Sequence, residues 1–407
     1  MREGWNAVRL GTVVEQVRAR HVPKPDQTYR LLGVRAKARG AFLREVVPGS
    51  VTKAAALTPV RRGQFIYNRL FAGTGSFAVV PKDLDGSWVS NEFPVFDVDR
   101  SRLDVRYLGL AFEQPDVWLT VASQCIGTTG SRMRWHERKF EAFEVLLPPL
   151  DEQRRIANLI AAVDHLALRA DAVTSSSRQA AGALVQAALE DAGYPLVKLR
   201  DIATDRGLIG GPFGSSLRTR DYAPGGVPVI NGGNHSEWEA SLVGPFQFVS
   251  HQKADELRRN AATPGDVVAT NQGSVGQVSL VPAGPYGRYL VSQRQLRLRL
   301  RTEVAAPRYV VAVLRGKAAQ AELESQTIST GVSHINLRIF GDLEVQLPPL
   351  SQQVVIAEQF EAANAVAVAS RLLRERLARL RSSLLAELLS GDHEIPASYD
   401  RFLDGAA

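Results

Sequence analysis

The chain has 407 residues, 45% of them hydrophobic and 22% charged, enough to bury sizeable cores in two or three domains. That balance excludes a disordered chain, and no apolar run reaches the roughly 18–20 residues that a membrane helix needs. A formal net charge of +7 and a pI of about 9.6 favour an anionic partner such as nucleic acid, without establishing one. The single cysteine, Cys125, excludes an internal disulfide and fits a reducing cytoplasm. With no histidine pattern beside it, Cys125 is expected to be a small buried apolar residue rather than a nucleophile. The opening "MREGWNAVRL" has no apolar stretch of signal-peptide type, so the expected location is cytoplasmic.

In chain order, the first half opens with "WNAVRL" (5–10) and then gives a hairpin pattern in "GQFIYNRLFAGTGSFAVVP" (63–81), an apolar strand, a Gly/Ser-rich loop and a second strand. "VSNEFPVF" (89–96) and a short helical stretch over 106–124 follow, and the half ends in "FEVLLPPLDEQRRIA" (143–157). The second half repeats this order: "YPLVKL" (194–199), "GDVVATNQGSVGQVSLVP" (265–282), "VSQRQLRL" (291–298), a helical stretch over 307–325, and "LEVQLPPLSQQVVIA" (343–357). Loops differ in length while the order of elements holds. The chain therefore reads as two copies of one unit, each a mixed α/β globule followed by a helix. In "QLRLRLR" (295–301) Leu296, Leu298 and Leu300 alternate with Arg297, Arg299 and Arg301, a strand with one apolar face.

After each pair of prolines comes a long helix. Pro148 and Pro149 end the preceding segment, and Ile156, Ile160, Val163 and Leu166 then recur at helical spacing. The second helix carries Ile356, Phe360, Leu373, Leu377, Leu380, Leu384 and Leu388, close to a heptad seam, and stops at Gly391. About forty residues of helix span roughly 60 Å. Two such helices most simply bury their stripes against each other. The weak point is "VTSSS" (173–177), where the first helix is expected to fray or kink.

Several stretches imitate enzyme motifs. "FAGTGSF" (71–77) has the glycine pattern of an S-adenosylmethionine loop, but its flanks read as strands on both sides and its second copy, "NQGSVGQ", loses the motif. "GLIGGPFGSS" (207–216) lacks the lysine of a phosphate-binding loop. The seven histidines and one cysteine form no zinc pattern. No catalytic residue, cofactor site or metal site is expected in this chain.

Two globules, each closed by L-P-P-L-x-x-Q-x-x-I and a long helix, resemble the specificity (S) subunit of type I restriction-modification enzymes. The matching motifs are "LPPLDEQRRIA" (147–157), "LPPLSQQVVIA" (347–357), "GGPFGSSL" (210–217) and "GVPVIN" (226–231). The resemblance implies an α+β architecture of two tandem mixed α/β recognition domains, with the two helices forming an antiparallel coiled coil with pseudo-twofold symmetry. The expected boundaries are recognition domain 1 at 1–147, helix 1 at 148–192, recognition domain 2 at 193–347, helix 2 at 348–392 and a tail at 393–407. It further implies a non-catalytic subunit that reads a bipartite site in double-stranded DNA and assembles two methyltransferase subunits, with or without restriction subunits. S-adenosylmethionine and ATP/Mg would then sit on those partners. The other reading left open is a silent or orphan nucleic-acid-binding coiled-coil scaffold without active modification partners.

Base edges are read by amide, hydroxyl and guanidinium groups on exposed loops. On that ground the candidate DNA contacts in the first half are Asn68, Arg69, Thr74 and Ser76 on the hairpin and Arg132, Arg134 and Lys139 beyond it. In the second half they are Ser215, Ser216, Arg218, Arg220, Asn231, Asn234, Asn271, Gln272 and Ser274, with Ser333, His334 and Asn336 of "SHIN" as counterparts of the Arg132 region. The Arg297–Arg299–Arg301 stripe is open between phosphate contact and an exposed strand face. The five arginines of "RLLRERLARLR" (371–381) are open between a solvated helix face and contact with a partner subunit or phosphates.

Overall fold

The computed structural model describes residues 4–127, 133–190, 192–328 and 331–399. The chain divides into unit 1 (Met1–Ala167 with Glu375–Ala407) and unit 2 (Leu168–Arg374). Each unit holds one globule, part of the first long helix and part of the second. Among the described residues no helix is long and apolar enough to cross a membrane.

Unit 1 begins with strands β1 (Asn6–Arg9), β2 (Val14–Gln16), β3 (Thr28–Val34), β4 (Ala41–Pro48), β5 (Leu57–Pro59), β6 (Phe65–Tyr67), β7 (Phe77–Val79), β8 (Trp88–Ser90) and β9 (Val95–Val98). Helices α1 (Val105–Ala111), α2 (Pro115–Gln124) and α3 (Glu137–Ala142), strand β10 (Glu144–Leu147) and the long helix α4 (Leu150–Leu189) follow. Two sheets, ordered β2-β9-β6-β7 and β4-β3-β8-β5, make the globule, and β1 pairs antiparallel with β10. The "FAGTGSF" loop joins β6 to its antiparallel neighbour β7, the opposite of the strand-to-helix turn a nucleotide loop requires.

Unit 2 repeats the plan. Its strands are β11 (Leu196–Lys198), β12 (Ala203–Gly210), β13 (Tyr222–Ala223), β14 (Val227–Ile230), β15 (Gln247–Val249), β16 (Ala261–Ala262), β17 (Val267–Thr270), β18 (Val278–Leu280), β19 (Tyr289–Val291), β20 (Gln295–Leu300) and β21 (Glu344–Gln346). Its helices are α5 (His251–Glu256), α6 (Pro307–Leu314), α7 (Lys317–Ser325), α8 (Leu337–Asp342) and the long α9 (Leu350–Ser390). The sheets run β12-β20-β17-β18 and β13-β15-β14-β19-β16, and β11 pairs with β21 as β1 does with β10.

The duplicated motif now has a physical reason. In unit 1, Gln153 is buried and its Oε1 accepts the Asp104 N–H at 2.9 Å, while its Nε2 donates to the carbonyls of Arg102 (3.0 Å) and Pro148 (2.9 Å). In unit 2, Gln353 accepts from Ala306 N–H at 2.8 Å and donates to Val304 (3.0 Å) and Pro348 (2.8 Å). Each amide thus ties the first turn of a long helix to the segment before α1 or α6. The proline carbonyls of Pro149 and Pro349 accept the first helical N–H groups. Above each clamp a buried tyrosine, Tyr107 or Tyr309, donates its hydroxyl to the carbonyl of Leu146 or Gln346.

The two globules fill the same interior differently. Around the unit 1 hairpin stand Phe65, Tyr67, Phe96, Phe112, Trp135 and Phe140, with ring centroids as close as 4.4 Å. The corresponding places in unit 2 hold Val267, Ala269, Leu298, Leu314, Ile335 and Phe340. Both sets bury their side chains in one cluster, so area removed from water, not ring stacking as such, is the shared requirement.

Three details depart from the sequence expectations. Helix α4 runs unbroken through 173–177, because the Thr174 hydroxyl donates to Ala170 O and the Ser176 hydroxyl to Val173 O, satisfying both within the helix. The buried apolar helix positions are Ile156, Ala157, Ile160, Val163, Ala170, Ala181 and Val185 on α4 and Ile356, Ala357, Phe360, Ala367, Leu385 and Leu388 on α9. Leu166, Leu373 and Leu380 are instead exposed, since a 3.6-residue helix drifts off a strict heptad stripe. Cys125 is half-buried and caps α2, its thiol donating to Val121 O, and burial pushes its pKa up.

Within unit 1, Arg381 of α9 donates to Asp164 of α4 (2.6 Å) and to Glu113 after α1 (2.7 Å). Within unit 2, Arg374 pairs with Asp171 at 3.4 Å, and Arg371 lies over the Trp238 ring, which Arg178 of α4 also faces. Of the five arginines in 371–381, Arg374, Arg376 and Arg379 are exposed, while Arg371 and Arg381 are partly covered.

Gln353→Ala is expected to destabilise unit 2 by roughly 2–4 kcal/mol, because buried carbonyls and an amide N–H lose their partner. Gln353→Glu is expected to cost more, since it turns a carboxylate oxygen toward two carbonyl oxygens. Urea denaturation checks both, with loss of hydrogen-exchange protection at Val304–Ala306 amides locating the damage.

Candidate nucleic-acid interface

The hairpins and the loops beyond them are brought together in both units by the same backbone bonds. In unit 1, Asn68 N–H donates to Ser76 O (3.0 Å), Arg69 N–H to Glu92 O (2.9 Å), and Trp135 N–H to Arg69 O (3.0 Å). In unit 2, Thr270 N–H donates to Gln277 O (2.9 Å), Asn271 N–H to Arg294 O (3.0 Å), and Ile335 N–H to Asn271 O (2.9 Å). The bridge between Ile126 and Arg134 recurs as that between Ile328 and His334. Arg69 and Asn271 are thus equivalent, as are Glu92 and Arg294, Arg134 and His334.

On this common frame unit 2 gathers half of its candidates. Gln272 bridges to His334, Gly273 N–H donates to Ser333 O, and Ser274 is exposed at the loop. Asn336 is exposed and caps α8 by accepting from Ile339 N–H at 2.9 Å. The Asn271 Oδ1 is buried with no hydrogen-bond partner. A separate turn carries Ser215, Ser216, Arg218 and Arg220; Ser215, Arg218 and Arg220 are exposed, and Arg218 donates to Ser215 O. Gln293 holds that turn by donating to Gly214 O and Leu217 O. Asn231 donates to Gln247 Oε1 at 3.2 Å and keeps partial exposure.

In unit 1 the groups are more occupied. Arg69 donates to Asn91 O and ion-pairs with Glu137, with both side chains largely covered. Burial opposes the charged form of Glu137, but the Arg69 hydrogen bond, a backbone hydrogen bond and the charges of Arg69 and His136 together outweigh it and hold the carboxyl below its usual range. Arg134 makes a two-pronged pair with Glu92 at 3.0 and 3.1 Å. Thr74 and Lys139 are exposed, Asn68 accepts from Leu70 N–H, and Arg132 lies outside the described residues.

Three expectations are corrected. Ser76 is fully buried and donates to Val34 O, so its hydroxyl serves the sheet. Asn234 is buried with its amide spent on the carbonyls of Val243 and Pro245 and its Oδ1 on Asn231 N–H. The arginine stripe is neither a phosphate-facing row nor an open strand face. Arg297 is buried, donating to Ala261 O and Arg206 O, Arg299 binds Asp266, and Arg301 donates to Asp201 O. Arg297 and Arg299 are engaged within their own globule, because the second side of that strand is also largely covered, while Arg301 stands exposed just past the strand's end.

Arg294 and Gln293 were missed as candidates. Their signal was present: "VSQRQLRL" aligns with "VSNEFPVF", so Gln293 and Arg294 stand opposite Asn91 and Glu92 beside the hairpin, and both are exposed.

Beneath the unit 2 hairpin lies a buried polar chain. His235 bonds through Nε2 to Gln295 Oε1 (2.7 Å) and through Nδ1 to Ser279 Oγ (3.0 Å), and Gln295 Nε2 donates to Thr270 Oγ1 (3.1 Å). A neutral imidazole with its proton on Nε2 satisfies every member. Burial, against the Gln295 hydrogen bond and with help from Arg315, pulls the His235 pKa from 6.5 down to about 4. Among the described residues no group of three or more His, Cys, Asp or Glu is arranged to hold a metal ion.

A duplicated α+β globule that presents polar loops and is clamped to a long helix defines a class of helix-linked, two-domain proteins. The family model of the type I restriction modification DNA specificity domain matches residues 197–371, a stretch that lies wholly inside unit 2. The whole chain has the fold of solved type I specificity subunits, as its motifs implied. It is similar to the S subunit of a type I restriction-modification system from M. genitalium, with a TM-score of 0.59, 11% identity and coverage of 94% of this chain and 96% of that one. It is also similar to a chain from a structure of complex assembly and conformational transition of the type I R-M system, with a TM-score of 0.57, 20% identity and coverage of 96% and 99%. No curated protein matches it in sequence.

Because folded His235 resists protonation, the unfolded chain takes up the extra proton as pH falls. The stabilisation is complete above pH 6.5 and is lost as pH drops from 6.5 toward about 4, up to roughly 3 kcal/mol. Urea denaturation across that range should show the slope in wild type and a flatter one in His235→Gln; an unchanged slope in the variant would assign it elsewhere.

Proposed function

We propose that the chain is the DNA-reading and assembly subunit of a type I restriction-modification complex, acting in the cytoplasm. Each globule reads one half of a bipartite site in double-stranded DNA, and the paired helices fix the gap between the halves. The observation that carries this is the duplication of hydrogen bonds. The same three backbone bonds hold each hairpin, and the same three amide bonds hold each globule to a helix start. Two half-sites call for two readers related in this way.

The chemistry then belongs to partners. Two methyltransferase subunits would bring S-adenosylmethionine, and restriction subunits, where present, ATP and Mg. Leu168, Leu372, Leu373 and Val366 stand exposed on the helix parts of unit 2, apolar side chains of the kind a protein partner covers.

Methylome sequencing of a host with and without the gene is the direct test. The expected result is loss of adenine methylation at one bipartite motif on deletion; unchanged methylation would sink the reading. Exchanging residues 1–147 for those of another such protein should change one half of the motif and leave the other half intact. Leu373→Glu should reduce co-purification of the methyltransferase by tenfold or more while binding of duplex DNA by the full chain persists.

A further inference from the structure

The positive charge of this protein is concentrated in one stretch. Residues 16–44 hold eight basic side chains (Arg18, Arg20, Lys24, Arg30, Arg35, Lys37, Arg39 and Arg44) against one acidic, Asp26, a net +7 equal to that of the whole chain. The remainder is balanced. All eight are exposed. Three of them, Arg35, Lys37 and Arg39, crowd into the loop joining β3 to β4, and among the described residues none of the three has a carboxylate partner.

That loop is built in an unfavourable conformation. Lys37 and Ala38 have φ of 58° and 49°, the left-handed region in which a side chain costs energy and where glycine or asparagine is the usual choice at two successive positions. The conformation lets both amides point one way: Lys37 N–H donates to Thr74 O at 2.8 Å and Ala38 N–H to Gly75 O at 2.7 Å. Arg35 N–H closes the loop on Gly40 O (3.0 Å), and the Arg35 guanidinium stacks over Phe42 at 4.2 Å. The basic tip is therefore pinned to the β6–β7 hairpin beside exposed Thr74. Glycine at 37 would make the same amide bonds without strain, so what lysine adds there is an exposed cation at the tip.

We propose that the tip of the β3–β4 hairpin, through Arg35, Lys37 and Arg39, is a phosphate-binding element that holds unit 1 on the backbone of duplex DNA, whatever the base sequence. The inference rests on the DNA-reading function above and adds a site to it. A phosphate clamp is sequence-independent and adds about 0.9 to the salt slope per contact.

The test uses the purified full chain and a 30-base-pair duplex, with affinity measured from 0.05 to 0.3 M KCl. Lys37→Gly should weaken binding several-fold and lower the slope of log K against log salt by about one, while its thermal midpoint stays level or rises because the strain is gone. The triple variant Arg35→Ser, Lys37→Gly, Arg39→Ser should weaken binding at least tenfold and lower the slope by about two to three. Ala38→Gly relieves strain without touching charge and should bind as wild type. Wild-type affinity and slope in Lys37→Gly and the triple variant would overturn the phosphate site while leaving the DNA-reading function standing. Failure of the wild-type chain to bind the duplex at any salt would overturn both.

Discussion

One buried amide per unit carries the architecture. Gln153 and Gln353 are each placed where a long helix begins, and each uses its donor and its acceptor at once on backbone groups from two directions. No other side chain of that length offers both functions without a charge, which makes the glutamine hard to replace in a desolvated site. The proline pair before it ends the strand and supplies the carbonyls that the amide and the first helical turn need. A globule gripped in this way has a defined direction relative to its helix start, and its loops inherit that direction.

The interior shows how two copies drift apart while the geometry holds. Aromatic rings fill unit 1 where, Phe340 apart, aliphatic side chains fill unit 2, and Arg69 stands where Asn271 does. The backbone bonds around those positions are the same. A reader that must recognise a different half-site can change what projects from the loops, provided the strands beneath stay paired. Ion pairs of Arg69 with Glu137 and of Arg134 with Glu92 close the unit 1 hairpin, whereas the unit 2 hairpin presents Gln272, Ser274 and His334.

Most of the architecture was legible in the sequence, since repetition and periodicity survive without coordinates. The duplication, the hairpins at 63–81 and 265–282 and the helix starts were all visible. Individual contacts were not. Ser76 and Asn234 look like surface turn residues, yet strand pairing from far along the chain buries them. The 173–177 run looks like a break, yet hydroxyls bonding back within the helix keep it continuous. The arginines of 297–301 alternate as an exposed face should, but a second layer supplies carbonyls and Asp266 to receive them. In each case the deciding partner lies tens of residues away, or is a backbone group that composition does not reveal.

Hydroxyl-radical footprinting of the assembled complex on its methylated motif tests most directly whether the chain holds two readers. Two protected tracts separated by an unprotected gap are expected, with exchange of residues 193–347 moving one tract's sequence preference only. A single continuous tract, or a preference that changes in both tracts at once, would contradict a protein built from two independent readers.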